Sequence, residues 1–219
     1  NQRLILKLVT GVFKVLSISL SFFVKSKSNL VVFGGMNGLH YGDNSRFVFE
    51  YLVKESNQVD CYWLTNNIKV YKDLKSKKLP VALSWTLKGI VKLYQARVGV
   101  YSNTLRDISF EPLFVPKNLK LVALRHGKSV KRVLYGVKDF EINETLYRVA
   151  TIRKEYRQVV FTISSSDFVS KLTEECMRIG IEKHIVTGYP RYDDLMRNSK
   201  AEKNSLINLN DEKYSQVIL

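Results

Sequence analysis

The stretch Leu30-Val-Val-Phe-Gly-Gly35 decides the fold class. Its four apolar residues follow one another without a polar interruption, and two glycines end the run. A short continuous apolar run of this kind is typical of a strand that is buried on both faces of a parallel sheet. The stretch therefore predicts a parallel α/β fold, and the remaining segments can be assigned outward from it.

Short apolar runs alternate with amphipathic segments along the rest of the chain. Strands are predicted at 61–64, 81–83, 97–101, 119–124, 159–163 and 185–187. Helices are predicted over 44–55, with Asn44 as the cap, and over 67–76, 85–95 and 166–179. Strands that alternate with helices indicate a mostly parallel sheet with helices on both faces.

The composition is that of a globular protein with an unusual charge. Of the 219 residues, 45% are hydrophobic and 25% charged, which excludes a wholly disordered chain. Lys and Arg number 35 against 20 Asp and Glu, a net charge of +15, so a polyanionic partner is expected: nucleic acid, an anionic membrane or a phosphate-rich polymer. Cys61 and Cys176 form neither a disulfide framework nor a metal-binding spacing, which indicates a reducing compartment and no metal site.

Residues 3–25 have the periodicity of an amphipathic helix with a wide apolar face. Polar or small residues recur every three or four positions, including the cations Arg3, Lys7, Lys14 and Lys25 and the small residue Ser17. A transmembrane span would carry Lys7 and Lys14 at roughly 2.5–3.5 kcal/mol each, and a secretory signal would need an unbroken apolar run. A helix in the plane of an anionic membrane surface fits best. A helix packed on its own domain remains the alternative.

The segment after the strand predicted at 119–124 contains the first candidate for chemistry. His126 would lie at the carboxyl end of that strand, where open α/β sheets bind ligands, and could act as a general base. Gly127 allows close approach of a ligand, and Lys128 and Lys131 could neutralise phosphate. The acid-free basic block from Lys117 to Lys138 is accordingly expected to face a cleft. A structural or solvated histidine remains the alternative.

A second candidate is Gly188-Tyr-Pro-Arg-Tyr-Asp193. Pro190 fixes a turn, and the Arg191 guanidinium suits phosphate or carboxylate. Asp193 could hold Arg191 or cap a helix beginning near Asp194; a stiff turn with an internal ion pair is equally compatible. The glycine-rich loop 34–42 matches no nucleotide-binding pattern, and His184 is expected to be exposed.

Taken in order, these segments resemble the CDP-glycerol glycerophosphotransferase family, which includes teichoic acid polymerases and primases. Arg125-His-Gly-Lys-Ser-Val-Lys131 is similar to its Trp-His-Gly-Thr-Pro-Leu-Lys motif, and the 188–193 segment to its Gly-x-Pro-Arg-x-Asp motif. Weaker similarities lie at 41–51, 61–64 and 164–166, and the resemblance extends from about residue 30 to the end. Arg125 in place of Trp, and Ser129-Val130 in place of Thr-Pro, depart from the motif and leave acceptor or donor preference open.

The resemblance implies a Rossmann-like domain, the amino-terminal half of a two-domain GT-B enzyme held peripherally at the cytoplasmic face of the cell membrane. Such an enzyme moves a polyol phosphate from a CDP-linked donor to an anionic polymer or lipid-linked acceptor, without a cofactor. His126 would deprotonate the acceptor hydroxyl, which attacks the β-phosphate and releases CMP. Contacts to phosphate would come from Gly127, Lys128, Lys131, Arg191 and Asp193.

The expected organisation is an amphipathic membrane helix over 1–27, the Rossmann-like acceptor-side domain over 28–197 and a linker over 198–213. Residues 214–219 are expected to begin a carboxyl-terminal donor domain, without which the fragment should be inactive. Two other functions remain open: a membrane-associated GT-B glycosyltransferase that uses a nucleotide sugar in capsule synthesis, and a non-catalytic module that binds polyanions or membranes. A nucleic-acid partner is not expected.

Overall fold

A computed structural model describes residues 11, 12, 15, 17–127, 132–193 and 196 of the chain. Within these ranges seven strands form one sheet in the order β3-β2-β1-β4-β5-β6-β7, and every neighbouring pair is parallel. The strands are β1 Leu30–Phe33, β2 Asp60–Thr65, β3 Val81–Leu83, β4 Val98–Tyr101, β5 Lys120–Ala123, β6 Val159–Ser164 and β7 His184–Val186.

In the part of the chain that the structure describes, six α-helices connect these strands: α1 Asp43–Glu55, α2 Ile68–Ser76, α3 Leu87–Gln95, α4 Phe140–Asn143, α5 Leu146–Gln158 and α6 Asp167–Met177. Several begin at a side-chain cap. The side chains of Asn67, Thr86, Thr145 and Ser166 each accept a hydrogen bond from a backbone N–H in the first turn of their helix. Such caps satisfy donors that the helix itself cannot pair, and they fix where each helix starts.

Two separate cores lie on the two faces of the sheet. Leu30 and Val32 of β1 belong to a cluster that includes Tyr94 of α3 and Cys176 of α6. Phe33 belongs to a second cluster on the opposite face, with residues of α1 and α2 such as Phe49 and Leu74, and with Trp63 and Tyr189. Since successive side chains of a strand point to opposite faces, burial on both sides explains the unbroken apolar run in β1. The predicted parallel α/β fold is confirmed.

The helices differ from the predictions at two places. Asn44 is not a cap: α1 has Gly42 at that position, and Asn44 lies buried inside the first turn. Between β5 and β6, the short helix α4 was not predicted, and neither was the 13-residue helix α5. Its sequence, Leu146-Tyr-Arg-Val-Ala-Thr-Ile-Arg-Lys-Glu-Tyr-Arg-Gln158, is rich in charge, and its buried residues are only Val149 and Glu155. A helix with so narrow an apolar face has a weak periodic signal.

The described part of the amino-terminal segment, hereafter the amino-terminal ridge (residues 11, 12, 15 and 17–23), is helical. One side packs on the domain, where Leu20 joins the first core and Ser17 is 5% exposed. Ser17, one of the polar or small positions of the predicted periodicity, therefore lies on the side that packs on the domain and not on the exposed side. The opposite side exposes apolar residues, at Val12, Val15, Ile18, Phe22 and Phe23.

Most of the basic residues predicted to contact the membrane cannot be compared with the structure. Arg3, Lys7 and Lys14 lie outside the described residues, as do 198–219, while Lys25 is exposed. Among the helices that the structure describes, none is long and apolar enough to cross a bilayer. The ridge lies beside Lys117 and Asn118, which precede β5, and therefore at the amino-terminal ends of the strands.

Asp107 organises the loops at the opposite, carboxyl ends of β1 and β4. The carboxylate is 1% exposed and accepts backbone N–H bonds from Asn37 at 2.7 Å, Ser102 at 3.0 Å and Asn103 at 2.8 Å. Burial raises the pKa of Asp107 to about 6, although these backbone donors lower it. One buried side chain thus joins the loop after β1 to the loop after β4.

We expect this buried carboxylate to make stability depend on pH. Between about pH 4 and 6 the folded chain holds the Asp107 proton more tightly than the unfolded chain, so the free energy of unfolding falls as the pH rises. Relative to Asp107→Asn, which cannot titrate, wild-type stability should fall by about 2–3 kcal/mol across this window. Urea unfolding at several pH values measures the difference. Asp60→Asn, at an exposed aspartate, is the control. If the free energies of unfolding of the wild type and of Asp107→Asn differ by the same amount at every pH, the expectation is contradicted.

Candidate functional site

The candidate site lies near the point where the order in which the chain adds strands to the sheet reverses, between β1 and β4. The chain runs outward from β1 through β2 to β3, then returns to place β4 on the other side of β1. In open parallel sheets the crevice at such a point, beyond the carboxyl ends of the strands, is the usual place for a ligand. The loop after the neighbouring strand β5 brings Arg125, His126 and Gly127 to this same edge.

Asn44 joins this loop to the distant 188–193 segment. Its amide is fully buried, and its Nδ2 donates to the Arg125 carbonyl oxygen at 2.5 Å and to the Leu124 carbonyl oxygen at 3.4 Å. Its Oδ1 accepts the backbone N–H of Arg191 at 3.2 Å. The first turn of α1 therefore holds both motif segments together. Arg125 has a left-handed backbone (φ 54°), and its carbonyl is one of the groups that Asn44 holds.

The Arg191 side chain lies next to Asp43, in the same first turn of α1. Its Nη1 lies 3.6 Å from Oδ1 of Asp43, whose side chain is 5% exposed. A Cβ added to Gly127 would lie 3.3 Å from the second guanidinium nitrogen of Arg191, and the φ of Gly127, +149°, disfavours any other residue. The cation of the second motif is thus next to the glycine of the first. One side of the guanidinium faces a carboxylate, and its side chain remains one-third exposed.

His126 is exposed at the rim of a cavity of about 800 Å³. Apolar side chains such as Val133, Leu134 and Leu172 form much of the wall. The cations that line the cavity among the described residues are Arg106, Arg125 and Arg148, against one carboxylate, Glu155. An imidazole next to a cavity with excess positive charge can accept a proton from a hydroxyl while an anion is held nearby. Within the described ranges no group of three His, Cys, Asp or Glu side chains is placed to bind a metal ion.

The structure brings some of the predicted site residues together and not others. His126, Gly127 and Arg191 are neighbours, while Lys128 and Lys131 lie outside the described residues. Asp193 is exposed in a helical turn that begins at Pro190, so it is not a cap for a helix beginning near Asp194. The carboxylate that pairs with Arg191 is Asp43.

Two further expectations are wrong. Lys117 and Lys120 do not join a basic strip near His126, because they lie at the start of β5 whereas His126 follows its end. His184 is half-buried in β7 rather than exposed, and its Nε2 lies 3.1 Å from the carbonyl oxygen of Ile179.

Sequence reasoning missed three residues of the site: Asp43, Asn44 and Glu155. Asp43 and Asn44 lie in the weak 41–51 similarity, and an Asn before an apolar segment fits a helix cap equally well. The partners of Asn44 lie 80 to 147 positions away along the chain, and Arg191, the partner of Asp43, lies as far away. Glu155 belongs to the unpredicted helix α5. A buried glutamate among exposed Arg residues gives no local signal in one sequence.

The family is identified by a match over most of the chain. The model of the CDP-glycerol:poly(glycerophosphate) glycerophosphotransferase family matches residues 16–219. The chain belongs to this family. The resemblance drawn from the sequence motifs is therefore confirmed.

Two relatives from teichoic acid synthesis are similar in sequence. The teichoic acid poly(glycerol phosphate) polymerase of Bacillus subtilis (strain 168) is 28% identical over 222 residues, which cover 97% of this chain and 28% of that protein. The teichoic acid glycerol-phosphate transferase of Staphylococcus aureus (strain NCTC 8325 / PS 47) is 23% identical over 186 residues, covering 82% and 46%. The chain thus spans less than half the length of either relative.

Solved structures agree on the fold. The wall teichoic acid polymerase TagF superposes with a TM-score of 0.68 at 17% identity, covering 88% of this chain and 45% of that one. A histidine-to-asparagine variant of TagF soaked with CDPG gives a TM-score of 0.70 at 17% identity, covering 92% and 51%. At this identity the likeness establishes a shared α/β architecture for this glycerophosphotransferase-family chain.

We expect Asn44 to be necessary for the geometry of the site. Asn44→Ala removes its bonds to the Arg125 carbonyl and the Arg191 amide, and should lower the free energy of unfolding by about 1–3 kcal/mol. Asn44→Asp has the same size but places a carboxylate oxygen against the Arg125 carbonyl oxygen, so it should be at least as destabilising at neutral pH. Urea unfolding of the chain measures both. Stabilities within about 0.5 kcal/mol of wild type, the range usual for surface substitutions, would refute the role.

Proposed function

We propose that this chain forms the acceptor side of an enzyme that transfers glycerol phosphate, or a related polyol phosphate, from a CDP-linked donor to a wall polymer. Family membership supports the reaction class. The observation that carries the assignment to this site is the convergence of His126, Gly127 and Arg191 at the carboxyl edge of the sheet, through the buried amide of Asn44.

The proposed chemistry needs one proton acceptor and a positive environment. A ring nitrogen of His126 takes the proton of the acceptor hydroxyl, whose oxygen attacks the β-phosphorus of the donor. The new P–O bond forms as the bond from the β-phosphorus to the bridging oxygen breaks, and CMP leaves with that electron pair. Stabilising the charge on the transferred phosphoryl group is the main demand of such reactions.

Arg191 suits that demand because its charge is held in place without being fully neutralised. Asp43 is buried and fixes one side of the guanidinium at 3.6 Å, which leaves the side next to Gly127 facing the His126 loop. The absence of a side chain at Gly127 lets a phosphate oxygen approach both the backbone and the Arg191 guanidinium. The two motifs then act as one site, with base and cation on adjacent segments.

The donor is proposed to be CDP-glycerol, on the family description and on the TagF variant that was soaked with CDPG. Because the chain covers 28–46% of the length of its two relatives, the residues that hold the cytidine are proposed to belong to a second, GT-B-type domain. A polymer or lipid-linked polyol is the proposed acceptor.

The direct test is transfer of labelled glycerol phosphate by the full-length protein. A positioned general base contributes roughly 10²–10⁴-fold, so His126→Ala should lower kcat by about that factor without changing the thermal midpoint. His126→Gln should be equally impaired. His40→Ala, another exposed histidine at this edge of the domain, is the matched control and should retain full activity. Near-normal turnover by both His126 variants would show that His126 is not the general base. Transfer only from a nucleotide sugar would show that the donor is not CDP-glycerol.

We further propose that the enzyme associates peripherally with the cytoplasmic face of the membrane through the amino-terminal ridge. The supporting observation is its exposed side: Phe22 and Phe23 are 81% and 86% exposed, and the exposed residues Val12 and Val15 lie about two to three turns away. Exposed aromatic and aliphatic side chains on one side of a helix are suited to the boundary between headgroups and acyl chains. Lys25 follows at the end of the helix, where its ammonium can reach anionic headgroups.

Flotation with vesicles of phosphatidylcholine and phosphatidylglycerol measures this association. Burying a Phe side chain contributes about 1.5–3 kcal/mol, so the double variant Phe22→Glu/Phe23→Glu should bind at least about tenfold less. Ile142→Glu changes an 82% exposed apolar residue elsewhere on the surface and should leave binding unchanged. Equal loss in both variants, or no loss in either, excludes the ridge as the contact.

A further inference from the structure

Glu155 is a buried carboxylate that the proposed chemistry does not use. It lies on α5, is 5% exposed, and accepts a hydrogen bond from the hydroxyl of Tyr101 at 2.8 Å. Tyr101 ends β4 and is itself fully buried. An ionised carboxylate is costly in such surroundings unless a positive charge compensates it.

Arg125 supplies that charge. The two side chains line the same cavity as His126, and the Arg125 guanidinium acts electrostatically on Glu155, Tyr101 and Tyr156. Burial raises the pKa of Glu155 to about 7, against the opposing effects of the Tyr101 hydrogen bond and the Arg125 charge. The side chain of Arg125 therefore turns inward, toward α5, while the next residue, His126, is exposed.

Two interactions thus act on Arg125. Asn44 binds its carbonyl oxygen at 2.5 Å. At the other end of the residue, the guanidinium hydrogen-bonds Tyr156 of α5 and is attracted by the charge of Glu155, which lines the same cavity. The residue has a left-handed backbone, with φ at 54°, which costs a non-glycine residue about 1–2 kcal/mol. Without an inward anchor, relaxation of this φ would swing the residues that follow Arg125 away from their present place.

We infer that Glu155 is a positioning residue for His126, which it acts on through Arg125. This inference rests on the proposed function for the role of His126, and it adds a buried carboxylate on α5 as the group that fixes the base at the cavity rim. Glu155 does not touch the reacting groups. Removing its charge should therefore lower the rate of transfer and make the 124–127 loop less rigid. Neither effect should appear when the charge of Arg125 is also removed.

The experiment is a double-mutant cycle in the full-length enzyme, with transfer of labelled glycerol phosphate as the readout. Glu155→Gln keeps the acceptor for the Tyr101 hydroxyl and removes the charge, so kcat should fall about tenfold while KM for the donor stays within about twofold of wild type. In an Arg125→Met background the same change should alter kcat less than twofold. Glu111→Gln is the matched control, since Glu111 also accepts a tyrosine hydroxyl, that of Tyr147 at 2.7 Å, and it should leave kcat unchanged.

Hydrogen exchange at the amides of residues 124–127 provides a second readout that does not need activity. Exchange should be about tenfold faster in Glu155→Gln and unchanged in Glu111→Gln. If Glu155→Gln does not fold, Tyr101→Phe, which removes only the bond to Glu155, should give a smaller effect in the same direction.

The outcomes separate the two proposals. A wild-type enzyme that transfers, loses activity with His126→Ala and is unaffected by Glu155→Gln overturns the positioning role alone. Equal losses for Glu155→Gln in the wild-type and Arg125→Met backgrounds also overturn it, because Glu155 would then act without Arg125. If the wild-type enzyme transfers nothing from CDP-glycerol, the proposed function fails, and the exchange rates alone decide whether Glu155 holds the loop.

Discussion

The buried side-chain amide of Asn44 is the contact on which the site depends. It pairs with the loop after β5 and with the segment that begins at Tyr189, 80 to 147 positions away in sequence. Its donor and its acceptor are both used, so separating these loops would leave buried polar groups unpaired, at about 1–3 kcal/mol each. The first turn of α1 is therefore part of the site, although none of its side chains is proposed to touch the reacting atoms.

The positive charge on the surface differs from the positive charge at the site in how it is held. The chain has 35 cations against 20 acids, and none of the Lys and Arg residues that the structure describes is buried, so solvent screens much of this charge. At the site, by contrast, Arg191 and Arg125 each face a buried carboxylate, Asp43 and Glu155 respectively. Buried acids fix where these two cations point, so the orientation of positive charge near His126 depends on residues of opposite sign. Counting basic residues along the sequence could not show this.

Local pattern was enough to predict the sheet, because a parallel strand buried on both faces is an unbroken apolar run, as in β1. Helices with side-chain caps, such as α6 after Ser166, were found for a similar reason. The failures were non-local: Asn44 looks like a cap until its partners on two distant loops are known, and Glu155 lies on α5, whose apolar face is too narrow to detect. Lys120 was misplaced because a charge block in sequence spans both ends of a short strand.

The two proposals together constrain the acceptor. The amino-terminal ridge lies beside Lys117 and Asn118, at the amino ends of the strands, whereas His126 lies beyond their carboxyl ends. The length of β5 alone, four residues at about 3.3 Å each, separates the two levels by more than 10 Å. A hydroxyl attached directly to a lipid headgroup would have to leave the bilayer surface to reach the base. The free end of an extended polyol phosphate chain spans that distance readily, so this geometry favours a polymer end over a bare lipid headgroup as the acceptor.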